Sequence, residues 1–297
     1  WRALGKKIGY TASGCNSGVA QSSVMDWSAL GGRKVCDRCV WQTNADVCND
    51  ERNLAWGRKL EKHCDLICGE MVPGLDYMAL QGKATREPLT TCLDPDFWRP
   101  DLAIPADLKL TRERGEILVY HAFGNYDSRA LNGRNIKGTP AIFDAIERLK
   151  AEGEHVRLIF VTTEHNKQVR YSQAQADIIV DQLNYGRYGA TAREGMMLGK
   201  PVICYINAHE MRPQLELACL RECPLISATE DTVYATLKVL LANRVLRHDI
   251  GKAGRRYAMK WHSADACAER YEKVYDRLLA GLPPVAEEPA ASIAADA

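Results

Sequence analysis

Residues 176–206 read ADIIVDQLNYGRYGATAREGMMLGKPVICYI, and this stretch decides the fold. Ile178–Val180 is a short apolar run typical of a buried strand, and a glycine-rich turn follows it. Thr191 opens a short predicted helix that Gly199 closes, and the apolar run from Pro201 is the next predicted strand. A strand, a glycine turn, a helix and a second strand together direct backbone N–H groups and the positive end of a helix dipole toward an anion.

The same alternation of strands and helices continues on both sides of this unit. Apolar runs predict strands at 117–122, 156–161 and 224–226, and helical spacing predicts helices from 139 to 149, 167 to 174, 211 to 220, 231 to 242, 245 to 259 and 263 to 279. Strands that alternate with helices form a parallel, doubly wound sheet, whose ligands bind beyond the carboxyl ends of the strands. The predicted fold class is therefore α/β, with a Rossmann-like C-terminal domain.

The length and charge of the chain set its organisation. The 297 residues suffice for about two domains, and a net charge of +1 gives no electrostatic case for a nucleic-acid partner. We divide the chain into an N-terminal α/β domain at 1–105, a C-terminal domain at 106–281 and a disordered tail at 282–297. Because the first domain holds only two or three candidate strands, we expect it to be partial, with a longer N-terminus in the natural protein.

Cysteine is unusually frequent, with 11 residues, seven of which precede residue 93. The odd total argues against a disulfide framework and favours a reducing cytoplasm. Cys36 and Cys39 form a CxxC pair, and with Cys15 and Cys48 they predict a structural zinc site, because four thiolates suit tetrahedral Zn²⁺. The alternative is that these cysteines are small apolar fillers in an irregular loop.

A basic loop precedes the predicted helix at residue 139. Arg134 and Lys137 stand three residues apart, followed by Gly138. Two cations at the start of a helix can converge on a diphosphate, and the helix amides add positive potential. The alternative interpretation is an ordinary solvated basic loop.

The short helix of the opening stretch carries Glu194. A carboxylate at the crevice can accept hydrogen bonds from both ribose hydroxyls of a nucleotide, and the N–H groups of Gly189 and Ala190 can meet a phosphate. Two structural alternatives stay open. The Thr191–Glu194 spacing also matches a capping box, and Gly189 also suits an ordinary left-handed turn.

Three segments carry a resemblance to a known family. They are Asp-Gln-Leu at 181–183, Tyr-Gly at 188–189 and Glu-Gly-Met-Met-Leu-Gly-Lys-Pro-Val at 194–202. Together they resemble the nucleotide-sugar-binding segment of the family-4 glycosyltransferases of GT-B fold. The resemblance implies that Arg134 and Lys137 hold the diphosphate of the donor and that Glu194 holds its ribose.

This sequence departs from the family pattern at two places. A second glutamate of the family corresponds to Gly186, so its contact with the sugar hydroxyls passes to Tyr188 or to backbone amides. The histidine of a His-Gly turn corresponds to Ser13, which leaves the role of that turn open.

The function implied by the resemblance is sugar transfer of the hexosyltransferase type. The donor is a nucleotide-diphosphate sugar of UDP or GDP type, the acceptor is a glycan or a lipid-linked glycan, the outcome is retaining, and no bound metal or cofactor is required. The expected location is the cytoplasm, with peripheral contact at the inner membrane. Two alternatives stay open: a sugar-nucleotide epimerase, and a non-catalytic module with a degenerate nucleotide site and a zinc-stapled N-terminal segment.

Overall fold

Six parallel strands form two sheets in the computed structural model, which describes residues 2–12, 20–23, 25, 35–39, 41–69, 83, 92–130, 135, 137–207 and 218–284. The small sheet pairs β1 (Gly9–Ala12) with β2 (Leu66–Gly69). The central sheet has the order β4-β3-β5-β6 and consists of β3 (Ile117–Ala122), β4 (Val156–Val161), β5 (Ile178–Val180) and β6 (Val202–Ile203). Ile226 extends it through a parallel bridge to Ile203.

Nine α-helices lie in the described part of the chain, and five of them connect successive strands. They are α1 (Asp50–His63), α2 (Tyr126–Arg129), α3 (Thr139–Ala151), α4 (Asn166–Gln175), α5 (Ala190–Met197), α6 (Ala218–Arg221), α7 (Val233–Ala242), α8 (Arg244–His262) and α9 (Ala264–Leu279). Most predicted elements are confirmed to within two residues. Of the helix predicted at 211–220, only the end lies among the described residues, and the predicted tail lies largely beyond them.

Helices cover both faces of the central sheet because its strand residues alternate between two cores. Val119 and Ile178 pack with the apolar sides of α3 and α7. Their neighbours Tyr120 and Ile179 point to the opposite face, where Met196 of α5 and residues of α8 surround them. The predicted doubly wound α/β fold is thus confirmed.

The strand order places a crevice between β3 and β5. From β3 the chain crosses to β4 on one side, and from β5 it crosses to β6 on the other side. This reversal is the topological switch point, where ligands of open α/β sheets bind. Since His121 pairs with Val180 in register, the residues that follow β3 and β5 lie together at this edge.

Helix α5 begins at Ala190, one residue earlier than predicted, and closes as predicted at Gly199. The amide of Gly199 donates to Met196 O at 2.9 Å, and the amide of Lys200 donates to Gly195 O at 2.9 Å. This is a Schellman motif, and the glycine has the left-handed φ of +71° that it requires. The turn aligns β6 beside β5.

The N-terminal part packs on itself and on the end of the chain. Leu60 and Cys64 at the end of α1 contact Ile67 of β2. On the other face of β2, Leu66 and Cys68 contact side chains of α9. The C-terminal helix thus joins the two parts of the molecule. No helix in the described ranges is long and apolar enough to cross a membrane.

Candidate functional site

Two loops converge at the crevice beyond β3 and β5. The loop that precedes α3 carries Lys137. The backbone carbonyl oxygen of Lys137 accepts a hydrogen bond from the backbone amide of Leu183 at 3.0 Å. Leu183 belongs to the loop after β5. The backbone contact joins the two segments that the sequence assigned to one site.

The Lys137 side chain lies across the ends of both strands. Its Nζ donates to Ala122 O, at the end of β3, at 2.9 Å, and to Asp181 Oδ1, just after β5, at 3.1 Å. The lysine side chain is 17% exposed and the aspartate side chain 1% exposed, so this ion pair is screened little by solvent. An ammonium has three N–H donors, which leaves one beyond these two contacts.

Asp181 also contacts the start of α5. Its second oxygen, Oδ2, accepts the amide of Gly189 at 2.7 Å. The sequence predicted that the Gly189 amide binds a phosphate, whereas in the structure this amide donates a hydrogen bond to the Asp181 carboxylate. Ala190, the first residue of α5, is exposed at the same helix start.

Gly138 occupies the turn between Lys137 and α3. Its φ of +74° lies in the left-handed region, where glycine is favoured. A Cβ atom there would lie 2.8 Å from Leu183 Cβ, so a side chain would also push the two loops apart. The glycine therefore allows the close approach of the loops that form the site.

Glu194 lies on α5, where a buried amide holds its side chain. Gln173 of α4 is fully buried, and its Nε2 donates to Glu194 Oε2 at 2.8 Å. Burial raises the pKa of Glu194, and the bond from Gln173 opposes this effect. The capping-box alternative is wrong, because Gly189 is the N-cap of α5 and no side chain caps the helix.

The structure directs the Tyr188 hydroxyl away from the crevice. It lies 2.7 Å from the hydroxyl of Tyr257 and 2.9 Å from Nε2 of His262, both on α8. The prediction that Tyr188 contacts sugar hydroxyls is corrected by this geometry, because the glycine turn orients the ring toward the core. The tyrosine instead ties the turn to α8.

Two members of the predicted site, Arg134 and Cys15, lie outside the described residues, as does the turn at Ser13. Cys36, Cys39 and Cys48 are half-buried, and burial followed by the nearby Cys39 raises the pKa of Cys48. Across the described ranges, no three His, Cys, Asp or Glu side chains form a group that could hold a metal ion. The zinc site stays a prediction, which metal analysis by mass spectrometry tests.

Sequence reasoning missed three buried polar residues at the site: Asp181, Gln173 and His121. The imidazole of His121 lies 2.9 Å from Val180 O and 2.9 Å from Thr139 Oγ1, at the junction of β3, β5 and α3. Burial, followed by the charge of Lys137, lowers the pKa of His121 to about 4, so the ring is neutral at pH 7. Of the three, Asp181 could have been found from the sequence. It is a charged residue directly after a buried strand, at the strand end where ligands bind in such sheets.

Comparison with solved structures gives matches to glycosyltransferases of the GT-B fold. No protein-family model matches the sequence. No curated protein matches it. Sucrose-phosphate synthase from Thermosynechococcus elongatus superposes with a TM-score of 0.54 at 16% identity, over 81% of this chain and 65% of that chain. HepE from Anabaena, in complex with UDP and glucose, superposes with a TM-score of 0.51 at 11% identity, over 76% of this chain and 67% of that chain.

A third match is a trehalose-6-phosphate synthase, studied with bisubstrate glycomimetics for glycosyl transfer with retention. Its TM-score is 0.54 at 12% identity, over 74% of this chain and 62% of that chain. This chain thus spans about two thirds of the length of the three proteins. At these identities the comparison establishes a shared fold, and the predicted GT-B-like architecture is confirmed.

Proposed function

We propose that the protein is a glycosyltransferase that moves a sugar from a nucleotide-diphosphate sugar to a glycan or a lipid-linked acceptor. One observation carries the proposal: Asp181 bridges Lys137 and the start of α5 at the switch point of the sheet, and Glu194 lies on the same helix. A cation, a helix start and a carboxylate in this order match the diphosphate and ribose of one nucleotide.

The chemistry needs stabilisation of the leaving group. When the bond between the sugar and the diphosphate breaks, negative charge grows on the nucleoside diphosphate. Lys137, Arg134 of the same loop and the Ala190 amide at the start of α5 would neutralise that charge, while Asp181 holds the neighbouring Gly189 amide. Because Ala122 O and Asp181 hold the Lys137 ammonium before the substrate arrives, little reorganisation of this cation is needed during the reaction.

Glu194 would orient the nucleotide rather than take part in the chemistry. Its carboxylate would accept the two ribose hydroxyls, while Gln173 holds its other side. The UDP bound by HepE supports a donor of UDP type, and GDP is the second candidate. The study of retention in a trehalose-6-phosphate synthase of similar fold supports a retaining reaction. That the reaction needs no bound metal is a further part of the proposal.

The acceptor and the setting belong to the same proposal. We assign the acceptor to the N-terminal part, which faces the donor domain in the proposed arrangement, and the reaction to the cytoplasm, with peripheral membrane contact for a lipid-linked acceptor. Neither assignment affects donor binding. The donor site is therefore the part to test first.

The competing proposal is a non-catalytic module with a degenerate nucleotide site. The pairing of Lys137 with Asp181 favours it, because the pair is nearly neutral as a unit. Glycine at position 186 favours it as well. Nucleotide binding separates the two proposals.

The test is calorimetric titration with UDP and GDP, and then with their sugars, on the wild-type protein and on Glu194→Ala. Loss of hydrogen bonds to a charged group is worth about 1.5–3 kcal/mol, so the variant should bind about 10- to 100-fold more weakly. Glu147→Ala, which removes a carboxylate that is 70% exposed on α3, is the matched control. Absence of binding to either nucleotide by the wild-type protein would refute the donor site.

A further inference from the structure

Asp181 joins two separate elements at the switch point of the sheet. It follows β5 directly, and the residue is fully buried. One carboxylate oxygen contacts the ammonium of Lys137 at 3.1 Å, and the other accepts the amide of Gly189 at 2.7 Å. Lys137 lies 44 residues before Asp181 in the sequence, and Gly189 lies eight residues after it.

The two donors that Asp181 holds are both positive toward the crevice. Lys137 carries a full charge, and the start of α5 carries the positive end of the helix dipole. Without a negative group between them, the ammonium and the helix start would repel each other. The buried Asp181 carboxylate offsets this repulsion, and its two hydrogen bonds set the distance between the Lys137 ammonium and the start of α5.

We infer that Asp181 is a positioning residue for the donor diphosphate, which fixes the ammonium of Lys137 and the start of α5 at the spacing that the diphosphate requires. This inference rests on the proposed function. It assigns to Asp181 a role distinct from that of Gln173, which bonds to Glu194 at the ribose end of the site. The donor site thus has two buried supports, one for each end of the nucleotide.

Asparagine at position 181 separates this role from simple packing. Its side chain has the same shape, but it has one accepting oxygen, and its NH₂ group can only donate. One of the two donors, Lys137 or the Gly189 amide, would then face another donor. The spacing of the phosphate-binding groups should therefore change, while the ribose end stays as it is.

The experiment compares a nucleoside diphosphate with the corresponding monophosphate. Calorimetry with UDP and UMP, and with GDP and GMP, is run on the wild-type protein, Asp181→Asn and the control Asp249→Asn. Asp249 is an exposed residue of α8, so its variant removes the same charge away from the site. We expect Asp181→Asn to bind the diphosphate about tenfold more weakly and the monophosphate within about a factor of two of the wild type.

A double variant, Lys137→Met with Asp181→Asn, guards against misfolding of the single variant, because it removes both charges of the buried pair. It should also lose the preference for the diphosphate while it keeps binding the monophosphate.

Three results would overturn the inference. If Asp181→Asn keeps the wild-type ratio of diphosphate to monophosphate affinity, Asp181 has no positioning role, and the proposed function stands. If Asp181→Asn and the double variant each lose diphosphate and monophosphate binding to the same extent, the role of Asp181 is only structural. If the wild-type protein binds no nucleotide, the proposed function fails, and this assignment fails with it.

Discussion

The α-carbon of Gly251 lies directly against the carbonyl oxygen of Gly199: a Cβ atom on Gly251 would be only 2.1 Å from that oxygen. The contact joins α8 to the turn that closes α5. Both partners are backbone, so neither can move aside as a flexible side chain would. The position of α8 over the donor domain therefore depends on this glycine.

We expect Gly251→Ala to destabilise the protein by about 2 kcal/mol, because the overpacking cost exceeds the gain in helix propensity. Urea unfolding measures the free-energy change. Gly124→Ala is the matched control, since a Cβ there meets nothing within 4 Å. Equal stability of the two variants would show that α8 adjusts its position freely.

Lys137→Met should have two effects that can be separated. The variant leaves the carboxylate of Asp181 buried without its ion-pair partner, which costs about 3 kcal/mol of stability. Asp181→Asn in the same background should recover part of that loss. Both variants should show a fall of about 100-fold in sugar transfer from the donor, because a fixed cation at the leaving group is lost.

Urea unfolding and a transfer assay with a UDP or GDP sugar give the two readouts. Exposed Lys150→Met on α3 is the control for loss of a lysine charge. Transfer at the wild-type rate in the Lys137 variants would remove this lysine from the proposed mechanism.

Tyr188→Phe should reduce stability and leave the donor site unchanged. The phenol oxygen lies within hydrogen-bond distance of Tyr257 and His262 in the core, so its removal leaves buried groups unsatisfied, at a cost of about 1–2 kcal/mol. Thermal unfolding measures the loss, and calorimetry with the donor nucleotide checks the site. If Tyr188→Phe keeps the wild-type stability but transfers sugar more slowly, the prediction that Tyr188 contacts the sugar hydroxyls is restored.

Stability should fall in mild acid because two histidines are buried in neutral form. Burial lowers the pKa of His121 to about 4 and that of His262 to about 3. Unfolded histidine titrates near 6.5, so between about pH 6.5 and 4 the unfolded chain binds more protons and stability decreases as the pH falls.

The loss should be about 1 kcal/mol per histidine between pH 7.5 and 5.5. Unfolding free energies at these two pH values for the wild type and His121→Gln measure it, and the variant should lose one histidine's share of the pH dependence. His248→Gln, at an exposed position of α8, should keep the wild-type dependence. An unchanged slope in His121→Gln would mean that its ring is protonated in the folded protein as well.

Much of the architecture was predictable from the sequence because the signals are local. The apolar runs at Ile117–Ala122, Val156–Val161 and Ile178–Val180 predict buried strands, and the structure has them with the same bounds. Gly199 closes α5 as expected, since a left-handed residue after a helix satisfies its last carbonyls within one turn of chain. Regular alternation of strand and helix was enough to indicate a parallel sheet and the edge at which a ligand binds.

The sequence by itself thus determined the order of the elements, the glycine turns and the loop that carries Lys137. Only the tertiary structure decided which groups meet: Lys137 with Asp181, Gln173 with Glu194, and Tyr188 with α8 rather than the crevice. The physical reason is that strand periods and helix caps depend on neighbours within a few residues. The partner of a buried charge depends instead on which strand ends are adjacent, and the orientation of a side chain in a glycine turn depends on the core beneath it.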